Sequence, residues 1–333
     1  MLLLLHILLL TTQHLIPFSL SEKCNQFEKP YLLKIKNELG NPPQLSSWNP
    51  NTDCCDQWFG IVCDIHKYRD LCTHIEFYFH TVYILNLSNL HLPQPLPIPP
   101  SIVNLVYLNT LSFHNIPNLV GSIPHSIATL PKLEYFFIRN TSISSKIPEA
   151  LSNMKTLVAI ILSSNKLTGT LPDTLPSLPN LAGIAFDDNQ LTGPIPESYG
   201  SFSSLFRVLS LSRNRLSGKI PASLAKLNLE LVDLSRNKLE GDASVFFGSK
   251  KRTAFILLKR NSFVFDIGKV ELSKNLKHLD LSDNKIFGIL PNELMKLKYL
   301  SKLNVDNNNL SCGENDIPEA ENSEMFDDEV CQI

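Results

Sequence analysis

Residues 209–221 read LSLSRNRLSGKIP: leucines alternate with polar residues, an asparagine follows, and a G-x-I-P tail closes the segment. The same frame, L-x-L-x-x-N-x-L, returns as IILSSNKLTGTLP from Ile160, IAFDDNQLTGPIP from Ile184 and LDLSDNKIFGILP from Leu279. Looser copies start at Leu85, Leu111, Phe136, Val232, Ile256 and Leu303, so the ten starts step by 26, 25, 24, 24, 25, 23, 24, 23 and 24 residues. Alternation makes each x-L-x-L-x segment a strand with its leucines on one side. One such strand cannot bury that side alone. Coils stacked about 4.8 Å apart pair the strands into a parallel sheet and give every leucine a neighbour.

A period between about 20 and 29 residues with this pattern is that of leucine-rich repeats. The expected fold is therefore an α/β leucine-rich-repeat solenoid, a right-handed superhelix of ten ~24-residue repeats with a concave parallel β-sheet. The asparagine of the frame (Asn165, Asn189, Asn214, Asn237, Asn261, Asn284, Asn308) sits where the chain turns off the sheet. Its amide can satisfy backbone groups that the turn would otherwise leave buried and unpaired, so these residues read as structural and not as ligand contacts. Repeats that carry a G-x-I-P tail resemble the plant extracellular class, and that resemblance implies a second short sheet beside the first.

The flanks divide the chain further. Residues 1–21 begin with an almost wholly apolar run, Met1 to Leu10, and end near Ser19-Leu20-Ser21, the pattern of a secretory signal peptide. No later stretch reaches the length of a membrane span, and the net charge of -2 suggests neither nucleic acid nor an acidic membrane as partner. The seven cysteines gather at the ends: Cys24, Cys54, Cys55, Cys63 and Cys72 before the repeats, Cys312 and Cys331 after them. That distribution points to disulfide-stapled caps in an exported chain, with an N-terminal cysteine cap over 22–80, repeats over 81–311 and a short acidic cap over 312–333. Cys72 is the candidate for the thiol left over. Cys54, Cys55, Cys63 and His66 have the elements of a zinc site, but oxidation competes and adjacent cysteines are poor metal geometry, so no metal is expected. Asn86, Asn140 and Asn309 head N-x-S/T sequons and are the candidate glycosylation sites. From Glu314 to Glu329 the tail holds eight acids and no Lys or Arg, which reads as a solvated terminus.

Chemistry-bearing motifs are missing from the sequence. It has no G-x-S-x-G, no H-E-x-x-H, no G-x-x-x-x-G-K and no G-x-G-x-x-G, and His114 and His278 lie seven repeats apart. Neither an enzyme nor a cofactor is expected. What the repeats offer is a surface: the residues between and after the leucines, with Tyr135, Phe137, Ile161, Phe255 and Leu257 apolar where exposure is expected. An apolar stripe beside charges has the composition of a protein-binding face.

Several longer stretches carry a more specific resemblance. The cap Cys24…Cys54-Cys55…Trp58-Phe59-Gly60-Ile61-Val62-Cys63 looks like that of plant extracellular leucine-rich-repeat proteins. LSRNKLEGDASVFFGSKK (234–251), LNLSNLHLPQPLPIPPSIVNLVYL (85–108), GIAFDDNQLTGPIPESYGSFS (183–203) and FDIGKVELSKNLKHLDL (265–281) resemble the polygalacturonase-inhibiting proteins, closest to their legume branch. The resemblance implies a plant defence protein of the cell wall that binds fungal or insect polygalacturonase on its concave face. The positions it points to are Phe137, Arg139, Ile161, Ser163, Ala185, Asp187, Asp188, Ser210, Arg213, Asp233 and Arg236, with Lys259 and His278 extending the patch. It also implies the pairs Cys24–Cys54, Cys55–Cys63 and Cys312–Cys331. Where the family's C-terminal cap carries four cysteines, this chain keeps two. Phe255 and Leu257 are apolar where the family is usually polar. Competing readings are an inactive paralogue, a recognition module for a peptide or receptor kinase, and a surface that adsorbs cell-wall pectin or ice. Pectin would use the basic residues around Arg213, Arg236, Lys259 and Arg260.

Overall fold

The computed structural model describes residues 23–69 and 76–311. It begins with helix α1 (Lys29–Glu38) and the short helix α2 (Cys54–Gln57), then the strands β1 (Ile61–Arg69), β2 (Glu76–Ser88), β3 (Thr110–Gly121) and β4 (Tyr135–Ser145). From there each repeat contributes a pair of short strands. These are β5 (Ala159–Ile161) and β6 (Lys166–Leu167), β7 (Gly183–Ala185) and β8 (Thr192–Gly193), β9 (Val208–Ser210) and β10 (Arg215–Lys219), and β11 (Leu231–Asp233) and β12 (Lys238–Gly241). The last three pairs are β13 (Phe255–Leu257) and β14 (Ser262–Phe263), β15 (His278–Asp280) and β16 (Phe287–Gly288), and β17 (Lys302–Asn304) and β18 (Asn309–Leu310).

The first member of each pair joins one long sheet in the order β1-β2-β3-β4-β5-β7-β9-β11-β13-β15-β17, parallel from β2 onward. Of the second members, β6 pairs with the end of β4 and the others build the short sheets β14-β12-β10-β8 and β16-β18, so the second sheet implied by the G-x-I-P tail is present. Leu111, Phe136, Ile160, Ile184, Leu209, Val232, Ile256 and Leu279 are all but fully buried in one file down the interior. Each such burial stabilises the coil stack by roughly 1.5–3 kcal/mol. The outer wall is made of 3-10 segments of three to five residues, and among the described residues α-helix occurs only in the cap. Prolines account for part of this: Pro124, Pro148, Pro196, Pro221 and Pro291 each stand immediately before one of these segments, leaving only about ten residues before the next strand.

The asparagine file does what its position suggested. Asn189 Nδ2 donates to the carbonyls of Leu162, Phe186 and Asp187 at 2.8, 3.0 and 3.1 Å, and its Oδ1 accepts from Leu167 N at 3.0 Å. One amide thus closes its own turn and fastens the preceding coil. Asn214, Asn237, Asn261, Asn284 and Asn308 repeat the set. At the N-terminal end of the file Thr141 replaces asparagine and donates its hydroxyl to Asn165 Oδ1.

In the cap, Cys24 pairs with Cys54 and Cys55 with Cys63, as the resemblance implied. Their Sγ atoms bring Cys54, Cys55 and Cys63 within 4.8 Å of one another, but all three are spent in disulfides. Trp48 stacks on Trp58 at 5.4 Å and donates from Nε1 to Phe59 O. Strand β2 pairs antiparallel with β1 and parallel with β3, so cap and first repeat share one continuous strand across residues 80 and 81. The signal segment, Cys72, Cys312, Cys331 and the acidic tail lie outside the described residues.

Candidate binding face on the concave sheet

Strand register aligns the outward side chains in files. One file runs Phe137, Ile161, Ala185, Ser210, Asp233, Leu257, Asp280. Beside it, two residues earlier on each strand, run Tyr135, Ala159, Gly183, Val208, Leu231, Phe255 and His278. Five of the thirteen candidate residues therefore fall in a single file, and His278 ends the neighbouring one. The two files together form a half-buried apolar ribbon, interrupted by Ser210 and Asp233, from Tyr135 and Phe137 to Phe255 and Leu257. Gly183 keeps this ribbon flat: a Cβ there would stand 2.9 Å from that of Val208. Tyr135, Val208 and Leu231 belong to the face although the candidate set omitted them. Their signal was the residue immediately before each frame's first leucine.

A polar file borders the ribbon. Asp187 Oδ1 accepts from Ser163 Oγ at 2.9 Å and from Ser210 Oγ at 3.2 Å, so three candidates form one connected group. Asp233 is held by Ser235 N and Oγ, and Asp280 by Ser282 N and Oγ, at 2.6–3.1 Å. These bonds fix the carboxylates before any partner arrives. The Arg139 guanidinium lies 5.5 Å from the Phe137 ring centre, and Tyr135 packs 6.1 Å from the same ring. Lys259 Nζ stands 3.9 Å from Asp283, which Arg260 contacts at 3.1 Å. Burial pushes the His278 imidazole below its ordinary pKa, Lys302 adds to the shift, and Asp280 and Asp233 oppose it.

Asp188, Arg213 and Arg236 require a correction of place. Counted with the face residues, they sit at the turn that follows each strand, exposed, with φ of +56°, +52° and +56°. The frame L-x-L-x-x-N puts two residues after the second leucine, so alternation stops at the first, and the second takes the left-handed conformation that the turn demands. Ser164 and Asp283 occupy the same rim position. The corresponding rim residues of the first repeats are Asn89, Asn115 and Asn140, linked side chain to side chain at 2.7 and 2.9 Å. The sequon asparagines Asn86, Asn140 and Asn309 are all exposed. No helix among the described residues is long and apolar enough to cross a membrane.

Comparison with known proteins places this geometry. The chain matches the leucine rich repeat N-terminal domain over residues 25–64 and the leucine rich repeat over 156–178, 206–227 and 275–297. It is 58% identical to polygalacturonase inhibitor 1 of Phaseolus vulgaris over 86% of this chain and 81% of that one. The chain belongs to the polygalacturonase inhibitor family. It is also 50% identical to leucine-rich repeat protein FLOR 1 of Arabidopsis thaliana, over 83% of this chain and 80% of that one. Among solved structures it resembles a plant ice-binding protein, with a TM-score of 0.78 and 36% identity over 88% of this chain and 89% of the other. Members of this family are named as inhibitors, and the concave face described above is where a protein of this shape presents side chains that its core does not consume.

Proposed function

We propose that this chain is a secreted plant defence protein of the cell wall that binds and inhibits fungal or insect endopolygalacturonase through its concave sheet. The observation that carries the reading is the alignment of Phe137, Ile161, Ala185 and Ser210 in one outward file beside the anchored carboxylate of Asp187, in a chain 58% identical to a named inhibitor. Apolar side chains flanked by fixed charges suit a partner that is a folded protein, with the aromatic and arginine positions, Phe137 and Arg139, as anchors. Binding across the target's substrate cleft or its approaches would block a long polymer without any chemistry by the inhibitor. The exposed Arg213 and Arg236, free of ion pairs among the described residues, are the positions through which pectin would be held. Asn86, Asn140 and Asn309 are proposed to carry N-glycans, and a glycan on Asn86 would confine the partner to the middle and C-terminal repeats.

Purified protein added to a panel of fungal polygalacturonases, with release of reducing ends as the readout, tests the reading. Loss of activity at near-equal molar ratio is expected for at least one enzyme. A folded sample that leaves the whole panel untouched would overturn it in favour of a recognition module.

A further inference from the structure

The long sheet does not end evenly at its first strands. Of β2, residues 84–88 pair with β3, whereas 76–82 pair with β1 alone. Those seven residues and their partners make a two-stranded arm that runs about 20 Å past the edge where the concave strands begin. A two-stranded ribbon is marginal by itself, so its base must be fastened. His66 and Phe79, opposite each other on the arm, do this by packing on the Tyr107 ring of the loop before β3, at 4.8 and 5.9 Å. Buried Val82, whose N–H is taken by Glu28, holds the strand to the cap.

Register carries the concave face onto this arm. Val62 pairs with Ile84, Ile84 with Thr110 and Thr110 with Tyr135, so the file that contains Tyr135 reaches back into the cap. Alternation puts Asp64 on the same side of β1 as Val62. On β2 the register slips between Ile84 and Val82 and leaves Tyr83 without a partner on β1, the kind of bulge that re-aims a side chain. The charged and phenolic groups that Tyr83 faces are Glu134, Asp64 and Tyr135; burial raises its own pKa, and these neighbours add to the rise. Its carbonyl takes Asn109 N, and Asn109 O takes Glu134 N, both at 2.9 Å, so Tyr83 and Glu134 stand at one level on the lip of the sheet. Val62 and Asp64 are exposed, and Tyr83, Glu134 and Tyr135 are half-buried. Neither carboxylate is in an ion pair among the described residues.

We propose that this corner, two carboxylates beside two tyrosine rings at the base of the arm, receives a lysine or arginine side chain of the polygalacturonase that lies on the concave face. The inference rests on the inhibitory reading of that face. Tyr135 belongs both to the ribbon and to the corner, so one partner covers the two without a gap. An enzyme that holds a polyanionic uronic-acid chain carries cationic groups around its cleft, and acids with aromatic rings beside them are the complement of such groups. The arm turns an open edge of the groove into a wall.

Association and dissociation rates of the full chain with a fungal endopolygalacturonase that it inhibits test this. Asp64→Lys with Glu134→Lys should weaken binding by about tenfold, mainly through slower association, and the difference should shrink as salt rises. Asp173→Lys with Glu197→Lys, the same change of charge at exposed positions outside the concave strands, should bind like wild type. If Glu134→Lys prevents folding, Asp64→Lys alone decides, with the same salt-dependent loss in smaller degree. Equal weakening by the two pairs reduces the effect to net charge and overturns the proposal. So does wild-type binding by the Asp64→Lys, Glu134→Lys protein when Phe137→Ala is weakened, an outcome that leaves the concave face in place. If Phe137→Ala also binds like wild type, the inhibitory reading of that face falls, and this inference with it.

Discussion

The Ser163 hydroxyl donates to the Asp187 carboxylate at 2.9 Å, from one repeat to the next across the concave sheet. With Ser210 on the other side, Asp187 is clamped between neighbouring coils. A carboxylate fixed in this way gives up little conformational freedom when a partner binds it. Replacing Asp187 and Asp188 together by lysine should lower inhibition by at least about tenfold, the effect of losing a contributing interface position. The melting temperature should fall by only a few degrees, because both residues lie outside the core although Asp187 bridges two coils and Asp188 holds a left-handed turn. Unaltered inhibition in a titration against a sensitive polygalacturonase would remove both residues from the binding face.

Phe255 and Leu257 extend the apolar ribbon to its C-terminal end, in register with Leu231 and Asp233 on one side and His278 and Asp280 on the other. Specificity between related partners rests on few such side chains. Phe255→Thr with Leu257→Asn should change the ranking of enzymes in an inhibition panel, weakening some by roughly tenfold and leaving others untouched. A uniform change across the panel, or none, would show that the partner stops short of the eighth repeat.

Asn214 shows how far the fold could be read from residues alone. Its Nδ2 donates to three carbonyls and its Oδ1 takes Leu191 N, so Asn214→Ala leaves buried backbone groups unpaired in two coils at once. A loss of about 3 kcal/mol is expected in urea unfolding, against well under 1 kcal/mol for the exposed Asn292→Ala. The asparagine file was legible because its chemistry repeats wherever its spacing does. Asp188, Arg213 and Arg236 were harder: the frame states that two residues follow the second leucine, yet only the backbone reveals that the second turns left-handed and leaves the sheet. The first file of the ribbon was harder still, since Val208 and Leu231 precede the frame and look like core. Nothing in the composition of the cap distinguished Glu28 from any surface acid.

Gly60 ties that cap to the first repeat. Its φ is +77°, its carbonyl accepts from Asn86 N at 2.7 Å, and a Cβ built on it would stand 2.2 Å from Asn86 O. Gly60→Ala must therefore move backbone against backbone, and the left-handed φ alone costs an L-residue about 1 kcal/mol. The variant should lose several kcal/mol in total, or fail to accumulate; a melting temperature equal to wild type would mean that the cap shifts freely relative to β2.

Glu28 gives the cap a dependence on pH. It is 4% exposed, its Oε2 accepts from Val82 N at 2.8 Å, and Oε1, like the buried Thr81 hydroxyl, has no partner among the described residues. Burial pushes its carboxyl from 4.5 up to about 7, with the Val82 bond opposing the shift. A carboxyl whose folded pKa is raised binds protons more tightly folded than unfolded. Its contribution to stability is complete below the unfolded value of 4.5 and is lost as pH rises through about 7. The difference between the two pKa values corresponds to about 3 kcal/mol, an upper bound for a carboxyl that keeps one hydrogen bond. The cap should accordingly be most stable in mildly acidic solution and loosen toward neutrality. Glu28→Gln keeps the shape and removes the titration, so its unfolding free energy should vary less between pH 5 and pH 7.5 than that of wild type. Parallel pH profiles for the two proteins would mean that the carboxylate is solvated in the folded state and that the cap has no such dependence.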